Sequence, residues 1–505
     1  MTPIRDETDI EILRQKALIL DGENQRMIRK IAELQQELAV AEGRTPEVLQ
    51  QRLQLLEEQL ASRNRALFGA SSEKRSSSDQ DETKEKSGKK KQAARGRRPQ
   101  PRLPVLEVEH ELDEPDKVCP KCGGLLEEWE GQFEESEEID VIERQFVIRK
   151  HKRKKYRCRC NACVETALGP LKLVPGGRYS IRFAVDVAVQ KYLDHLPLER
   201  QVRIMARQGL DVTSNTLWDQ LNTLAQILAP LHDELHAHVL EQPVIGADET
   251  TWRLMGFEAT VNKKLRKSKK CWVWAVAAPD AVCYRIFDSR STESAREVLR
   301  EYDGYVLTDG YAAYESLQKQ GGRFQQLHCW AHARRHLVEA EEFYPEEAKQ
   351  GLDLIGELYS IERACKRGPP GDEQRRALRN ERSRAVISRI HAWALEQQKR
   401  SLPKSHLGKA VSYIGKMWPG LIRFLDDPAI PLDNNGTERA LRGVVIGRKN
   451  HFGSRSKRGT EVAALFYTLL ESAKLAGVDP AQYLKAATES KLRFDRDLLP
   501  HHFRD

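Results

Sequence analysis

Apolar residues early in the chain recur at Leu13, Ala17, Leu20, Met27, Ile31, Leu34, Leu38 and Ala41, alternately four and three apart, with Asn24 in the slot that breaks the run. Such a seam reads as a coiled coil whose polar position sets register. After a break at Gly43 to Pro46 a second seam follows through Leu49, Leu53, Leu56, Leu60 and Leu67. Residues 1–68 are therefore predicted to form a leucine-zipper coiled coil through which the chain self-associates. From Gly69 to Pro104 apolar residues almost vanish, so residues 69–104 read as a disordered linker unable to offset chain entropy by burial. Its second half, Lys84 to Arg102, carries nine basic residues against the single acidic Glu85, a run able to neutralise phosphates without a fold.

Further on, the periodicity is helical from Ser180 to Ala229. One helix covers Ile181 to Leu193, a second Leu198 to Gln208 ends at Gly209, and a third opens after Thr213, with Thr213 or Ser214 as its cap. This spacing predicts a helical DNA-binding domain over 179–240 of helix-turn-helix type, with Ser214 and Asn215 at its reading end. Beyond it the period shortens. Val244 to Ala247, Trp272 to Ala278, Cys283 to Phe287 and Tyr305 to Thr308 read as strands, with a helix over Thr292 to Tyr302 between the last two. A mixed sheet follows, with Asp248 on its first strand and Asp309 at the end of its fourth, adjacent if those strands pair. Helical patterns at Ala331 to Phe343, Gly351 to Cys365 and Glu373 to Gln398 then form an insertion, and Val462 to Leu475 an amphipathic helix packed on the core.

Composition narrows the class. The 505 residues favour several domains, and 83 basic against 75 acidic residues give a net charge of +8, so the placement of charge matters more than its sum. No apolar run is long enough for a membrane span, and the charged first turn at Arg5, Asp6, Glu7, Asp9 and Glu11 is unlike a secretory signal. The expectation is a cytoplasmic protein, associated with the nucleoid when bound to DNA. Five of nine cysteines lie between Cys119 and Cys163. Cys119 and Cys122 form one knuckle, Cys160 and Cys163 another, 37 residues later, which fits a closed four-thiolate Zn2+ site over residues 105–178, with Cys158 as an alternative ligand. Between the knuckles nine acidic residues from Glu127 to Glu143 precede seven basic ones from Arg149 to Arg157, where Lys152 and Arg153 are expected to face phosphates.

The remaining chemistry lies in carboxylates. Two acids in one pocket repel unless a divalent cation relieves them, and hard oxygen ligands select Mg2+ or Mn2+, ions suited to phosphoryl displacement. Asp248 and Asp309 need a third partner, for which Glu438 is the best candidate. It sits in Asp433-Asn434-Asn435-Gly436-Thr437-Glu438-Arg439-Ala440-Leu441-Arg442, where Asp433 or an adjacent Asn can cap a helix that carries Glu438, Arg439 and Arg442. His328, Cys329, His332 and His336 could hold a metal, but a structural or DNA-facing role is preferred, with Arg334 and Arg335 on phosphate. Arg448, Lys449, Arg455, Lys457 and Arg458 make a second phosphate-directed stretch.

Several blocks, in this order, carry a resemblance: Phe68-Gly69 with Ser71-Ser72-Glu73, Cys119-Pro120 with Cys122-Gly123-Gly124, Lys191-Tyr192 with Pro197-Leu198 and Arg200, Ala247-Asp248-Glu249-Thr250, Thr308-Asp309-Gly310-Tyr311 with Tyr314, Cys329-Trp330-Ala331-His332-Ala333-Arg334-Arg335, Asp433-Asn434-Asn435 with Glu438-Arg439, and Arg448-Lys449-Asn450. Over nearly its whole length the chain resembles the insertion sequence 66 family of transposases, of the DDE class. The resemblance implies a ribonuclease-H-like catalytic fold with the acidic triad on Asp248, Asp309 and Glu438, and small accessory proteins of the same element as further partners beside DNA. The extra Cys158 departs from the family pattern and leaves the choice of zinc ligands open. The expected architecture is multidomain α/β. The catalytic domain runs over 241–330 and 426–485, split by the helical insertion 331–425 and followed by a tail, 486–505. The expected activity is Mg2+-dependent hydrolysis at element ends followed by joining of the 3'-hydroxyl to target DNA. The alternatives are a non-catalytic DNA-binding regulator or an endonuclease or resolvase that cuts without strand transfer.

Overall fold

The structure, a computed structural model, describes residues 46–68, 144–157, 163–256, 259–261, 264–266, 268–365 and 371–503, with isolated positions before residue 144. The first heptad seam, the linker and Cys119, Cys122, Cys158 and Cys160 lie outside the described residues. The chain divides into two units, one of residues 64–144 and one of residues 1–63 with 145–505. In the first, the described Val105, Leu125 and Ile139 are exposed. The account below concerns the second.

The second seam lies in a helix, α1 (Pro46–Phe68). Among the residues of α1 whose burial is described, the most deeply buried is polar: Glu58 is 1% exposed, while Leu56 of the seam is 40% exposed. The Glu58 carboxylate accepts a hydrogen bond from the backbone N–H of His406 (2.8 Å) and lies 2.8 Å from that imidazole. Residues 155–166 contribute a small antiparallel pair, β1 (Lys155–Arg157) and β2 (Val164–Thr166).

Three helices follow where the periodicity predicts them: α2 (Ile181–Tyr192), α3 (Leu198–Arg207) and α4 (Ser214–Leu240). Thr213 is the cap of α4, its hydroxyl accepting from the N–H of Thr216 at 3.2 Å. At the start of α4 Asn215 is exposed and Ser214 half-buried, and Asp219, Gln226 and Asp233 are exposed further along. Leu217, Leu221, Leu224, Leu228, Leu231 and Leu235 are buried along one face, so the second helix of the helix-turn-helix spacing is also a core element.

The central sheet has five strands in the order β7-β6-β3-β8-β9. The long strand β3 (Val244–Leu254) pairs antiparallel with β6 (Lys269–Ala277), and β6 with β7 (Val282–Phe287). On its other side β3 pairs in parallel with β8 (Tyr305–Thr308), and β8 in parallel with β9 (Gln325–His328). A hairpin, β4 (Ala259–Val261) and β5 (Lys264–Arg266), extends between β3 and β6. The parallel connections carry α5 (Thr292–Leu299), capped by Ser291, and α6 (Ala312–Lys319). Along β3 the side chains alternate between faces. Ile245, Ala247 and Glu249 are buried on one, and Gly246 and Asp248 share the other.

After β9 the chain leaves the sheet for α7 (Trp330–Glu341), α8 (Pro345–Ala364), α9 (Gly371–Leu378), a short π-helical turn (Arg379–Ser383), α10 (Arg384–Arg400) and α11 (His406–Ile422). These share a second hydrophobic cluster that includes Trp330, Ile355, Leu358, Ile390, Ile414 and Phe424. The chain returns in α12 (Asn435–His451), followed by α13 (Lys457–Leu475) and α14 (Pro480–Leu492). The helix expected to be amphipathic, α13, is buried on nearly every side because β7 covers one face and α4, α14 and α2 the others.

One buried ion pair holds the insertion to the segment that re-enters the sheet. Arg379, 1% exposed, makes two hydrogen bonds to Glu362 (2.7 and 2.9 Å) and donates to the carbonyls of Asp427 (2.8 Å), Ile430 (2.9 Å) and Phe424. Every donor it directs at residues 424–430 fixes the approach to Asp433. Removing one partner strands a buried charge, so Arg379→Ala should cost about 3–5 kcal/mol in denaturant unfolding of the full chain. Arg379→Met paired with Glu362→Leu should restore most of that loss. Equal destabilisation by the single and the double variants would contradict this reading.

Candidate active site

The register of β3 with β8 brings the first two acids level. Gly246 is opposite Leu307, and two residues further along each strand come Asp248 and Asp309. Behind Asp309 the chain turns at Gly310, whose φ of +90° only glycine adopts without strain. The Asp309 carboxylate accepts the N–H of Tyr311 at 2.9 Å, and its backbone carbonyl accepts from the Tyr413 hydroxyl of the insertion at 3.0 Å.

The third acid is delivered by close packing of α12 on β3. A Cβ on Gly246 would stand 2.0 Å from Oγ1 of Thr437 and 2.3 Å from Oδ1 of Asn434, so the absence of a side chain there lets the helix meet the strand. Asn434 ties the contact: its amide donates to the carbonyl of Ala247 (2.9 Å) and its backbone N–H to Sγ of Cys329 (3.2 Å). Trp330 N–H donates to the Leu432 carbonyl at 3.0 Å. Of the capping choices left open by the sequence, Asn434 holds the N-cap position but makes no side-chain cap bond and directs its amide to the sheet, while Asp433 just before it accepts the N–H of Asn435 at 3.1 Å.

The electrostatics follow from this convergence. Burial, then the charges of Glu249, Asp309 and Glu438, push the Asp248 carboxyl up to about 8. Glu438 is 6% exposed. Arg335 lies 3.7 Å and His332 3.8 Å from its carboxylate. Burial and Arg335 lower the His332 pKa, against the pull of Glu438 and Asp309. Glu249 points to the other face. It receives hydrogen bonds from Arg290 (2.7 Å) and the Tyr314 hydroxyl (3.2 Å), and Arg290 stacks 3.6 Å over the Tyr311 ring. The trio does not draw its oxygens within 4.8 Å of one another as a set, as expected of like charges. An all-oxygen donor set, with Glu438 buried and Asp248 and Asp309 half-buried, whose Asp248 carboxyl is pushed up first by burial and then by neighbouring charge, fits a hard divalent cation, which would remove that repulsion.

The other sequence-derived residues divide. Arg439, Arg442 and Lys449 are exposed, and with their three- and seven-residue spacings they line one stripe of α12 running away from Glu438. Arg448, expected on phosphate, instead binds β3, donating to the hydroxyls of Thr250 (2.9 Å) and Thr251 (2.7 Å) and to the Thr251 carbonyl. Its position one step round the helix from the exposed stripe turns it inward. Arg335 is directed at Glu438, and Arg334 is half-buried. Lys152 and Arg153 are exposed, with Arg153 Nε also donating to the Ala167 carbonyl (2.5 Å). Cys163 is an exposed thiol 3.6 Å from the Glu165 carboxylate. His328, Cys329, His332 and His336 do not form a common metal cluster among the described residues. His328 meets the Met417 carbonyl (3.2 Å), and His336 meets Glu339 (3.6 Å). Burial pushes the Cys329 thiol up to about 12. The clamp residues Gly246 and Asn434 carried no signal in the sequence beyond the motif around them.

Comparison with known proteins adds four findings. Residues 176–462 match the family described as transposase IS66, and residues 116–161 match the zinc-finger binding domain of transposase IS66. The chain is similar to the uncharacterized protein y4jD of Sinorhizobium fredii, 32% identical over 77% of this chain and 76% of that protein. It is also similar to the uncharacterized protein y4qI of the same organism, 32% identical over 75% of this chain and 71% of that one. No described helix is long and apolar enough to cross a membrane.

A raised carboxyl pKa gives the site a pH signature. The Asp248 contribution to stability is complete below the unfolded value near pH 4 and is lost as pH rises through about 8, because only the unfolded chain ionises freely in between. A divalent cation restores what ionisation removes. The rise in Tm on adding Mg2+ or Mn2+ to the full chain should therefore grow between about pH 6 and pH 8.5, and Asp248→Asn should abolish that growth. A metal-induced rise independent of pH would contradict the assignment.

Proposed function

This chain belongs to the IS66 family of transposases, and we propose that it cuts and joins DNA with Asp248, Asp309 and Glu438 as its catalytic acids. The observation that carries the proposal is the level placement of Asp248 and Asp309 on neighbouring parallel strands, with α12 pinned to β3 so that the charge of Glu438 acts on Asp248. The strand order β7-β6-β3-β8-β9, three antiparallel strands and two parallel ones, is what a ribonuclease-H-like core requires.

In this reading the three carboxylates hold Mg2+ or Mn2+. When bound, such ions favour ionisation of the attacking oxygen and neutralise charge on the leaving one. The protein's own contribution is position and charge. Asn434 and Gly246 fix the depth of α12, and with it Glu438. Arg335 and His332 hold the Glu438 carboxylate facing the other two acids. Arg439, Arg442 and Lys449 seat the phosphates of a DNA strand on the outer stripe of α12. Water attacks the phosphodiester at the element end, the P–O bond to the neighbouring 3'-oxygen breaks, and a 3'-hydroxyl is released. That hydroxyl then attacks a target phosphodiester and displaces its 3'-oxygen, with no covalent bond to the protein.

The remaining parts serve binding. Zn2+ is assigned to Cys119, Cys122 and two of Cys158, Cys160 and Cys163. The finger match ends at residue 161, which favours Cys158 and Cys160. The start of α4, with Ser214 and Asn215, and the basic run with Lys152 and Arg153 add DNA contacts. The N-terminal heptads associate copies of the chain, and accessory proteins of the same element complete the assembly.

Asp248→Asn should lower both cutting of element ends and joining of pre-cleaved ends by on the order of 1,000-fold or more, with DNA affinity within about twofold of the parent. Retained cutting in Mg2+ would sink the assignment. The double substitution Arg439→Ala with Arg442→Ala should weaken DNA binding and reduce the slope of log affinity against log salt by about 2. An unchanged slope would remove α12 from the DNA interface.

A further inference from the structure

Three side chains far apart in the sequence meet where β3 begins. His238 lies in the last turn of α4, Asp280 in the tight turn between β6 and β7, and His501 in the short 3-10 turn Pro500–His502. Nε2 of His238 is 3.0 Å from Oδ2 of Asp280. The imidazoles of His238 and His501 stack with centroids 3.8 Å apart and planes 17° from parallel. One ligand atom from each of the three lies within 4.8 Å of the other two, and among the described residues this is the set of histidine, cysteine and acidic groups that gathers so closely.

Packing and ion pairing leave part of this cluster unexplained. Nδ1 of His501 is enclosed and has no hydrogen-bond partner among the described residues, an uncommon state for a buried ring nitrogen. Burial, with His238 and His502 close by, lowers the His501 pKa. The charges of Asp280 and Glu241 both act on that ring, which favours a cation beside it. The backbone that carries His501 is held in place, and ligation requires the two stacked rings to turn their nitrogens toward a shared point. Leu499 and Pro500 are buried, the Tyr483 hydroxyl donates to the Leu498 carbonyl (3.1 Å), and Phe503 packs edge-on against Tyr483. These contacts fix the turn that carries His501 without help from the imidazoles.

We propose that His238, Asp280 and His501 form a transition-metal site, filled by Zn2+ in the cell, that clasps the C-terminal turn onto the start of the central sheet. Two imidazoles and one carboxylate are a donor set of intermediate softness, suited to Zn2+, Co2+ or Ni2+ and not to Mg2+. The site shares no residue with the finger cysteines or the acidic trio, so it stands whether or not the catalytic reading does. Its role is structural, since a metal linking α4, the β6–β7 turn and the C-terminal segment closes long loops of chain.

Cobalt titration of the full chain, stripped of metal under reducing conditions, tests this directly. The finger thiolates give intense sulfur-to-metal charge-transfer absorption, whereas the nitrogen and oxygen set gives only weak visible bands. In excess Mg2+, which keeps cobalt from the acidic trio, the unsubstituted chain should take up one equivalent beyond the finger, with weak bands in addition to the thiolate signal. His501→Gln and Asp280→Asn should each lose that equivalent and those bands while keeping the thiolate absorption and the far-UV circular dichroism. Asp280 is on an exposed turn, so Asp280→Asn decides the matter even if His501→Gln does not fold. The same cobalt stoichiometry and visible spectrum in the folded Asp280→Asn chain as in the parent would overturn the site.

Discussion

Everything the site can do depends on one contact, the bare backbone of β3 at Gly246 against the first turn of α12. Three acids repel one another, and a fold that brings them together must oppose that repulsion with packing and directed hydrogen bonds. Here the opposing elements are the Asn434 amide on the Ala247 carbonyl and the Thr437 side chain over Gly246. Asp248 lies at this junction, where burial first and then the charges of Glu249, Asp309 and Glu438 push its carboxyl up to about 8. A cation held as proposed would relieve that repulsion, so that ion binding and folding stability would be linked.

The helical insertion makes that contact possible. The first two acids come from strands that pair directly, but the third arrives more than a hundred residues later. The insertion brings it back in a defined way: Trp330 and Cys329 bond to the segment just before α12, and Arg379 collects the carbonyls of residues 424–430. Tyr413 reaches across to the Asp309 carbonyl. The insertion is therefore part of the frame of the site, which explains why its core is continuous with Leu307 and Leu327 of the sheet. Glu58 of α1 bonds to the first residue of α11, so the helix that carries the second heptad seam is tied to this frame as well.

How much of this was legible in the sequence varied with how local the cause was. Asp248, Asp309 and Glu438 stood out because each sits in a distinctive short context, and β3 and β8 were legible as strands from their hydrophobic runs, while their pairing entered only as a condition. The strand β9 could not, because Gln325-Gln326-Leu327-His328 has no alternation and becomes a strand only by pairing with β8. The helix α11 was hidden by Gly408, Gly415, Pro419 and Gly420, poor helix formers that close packing overrides. Arg448 read as one more member of a basic run, since only the rotation of α12 separates it from its exposed neighbours. Glu58 was invisible for the opposite reason: a polar residue between heptad leucines looks solvated until a partner outside the helix claims it. The cluster of His238, Asp280 and His501 has no sequence signal at all, because its members share no spacing and meet only through tertiary packing.

The account stands or falls on whether the three acids bind metal in common. Crystals of the full chain with a pre-cleaved element end, soaked in Mn2+ and measured at the manganese absorption edge, address that question without reference to turnover. The account predicts anomalous peaks ligated by carboxylate oxygens of Asp248, Asp309 and Glu438 at about 2.0–2.6 Å. Manganese bound elsewhere, with the three carboxylates making no shared ligand set in the presence of DNA, would contradict it.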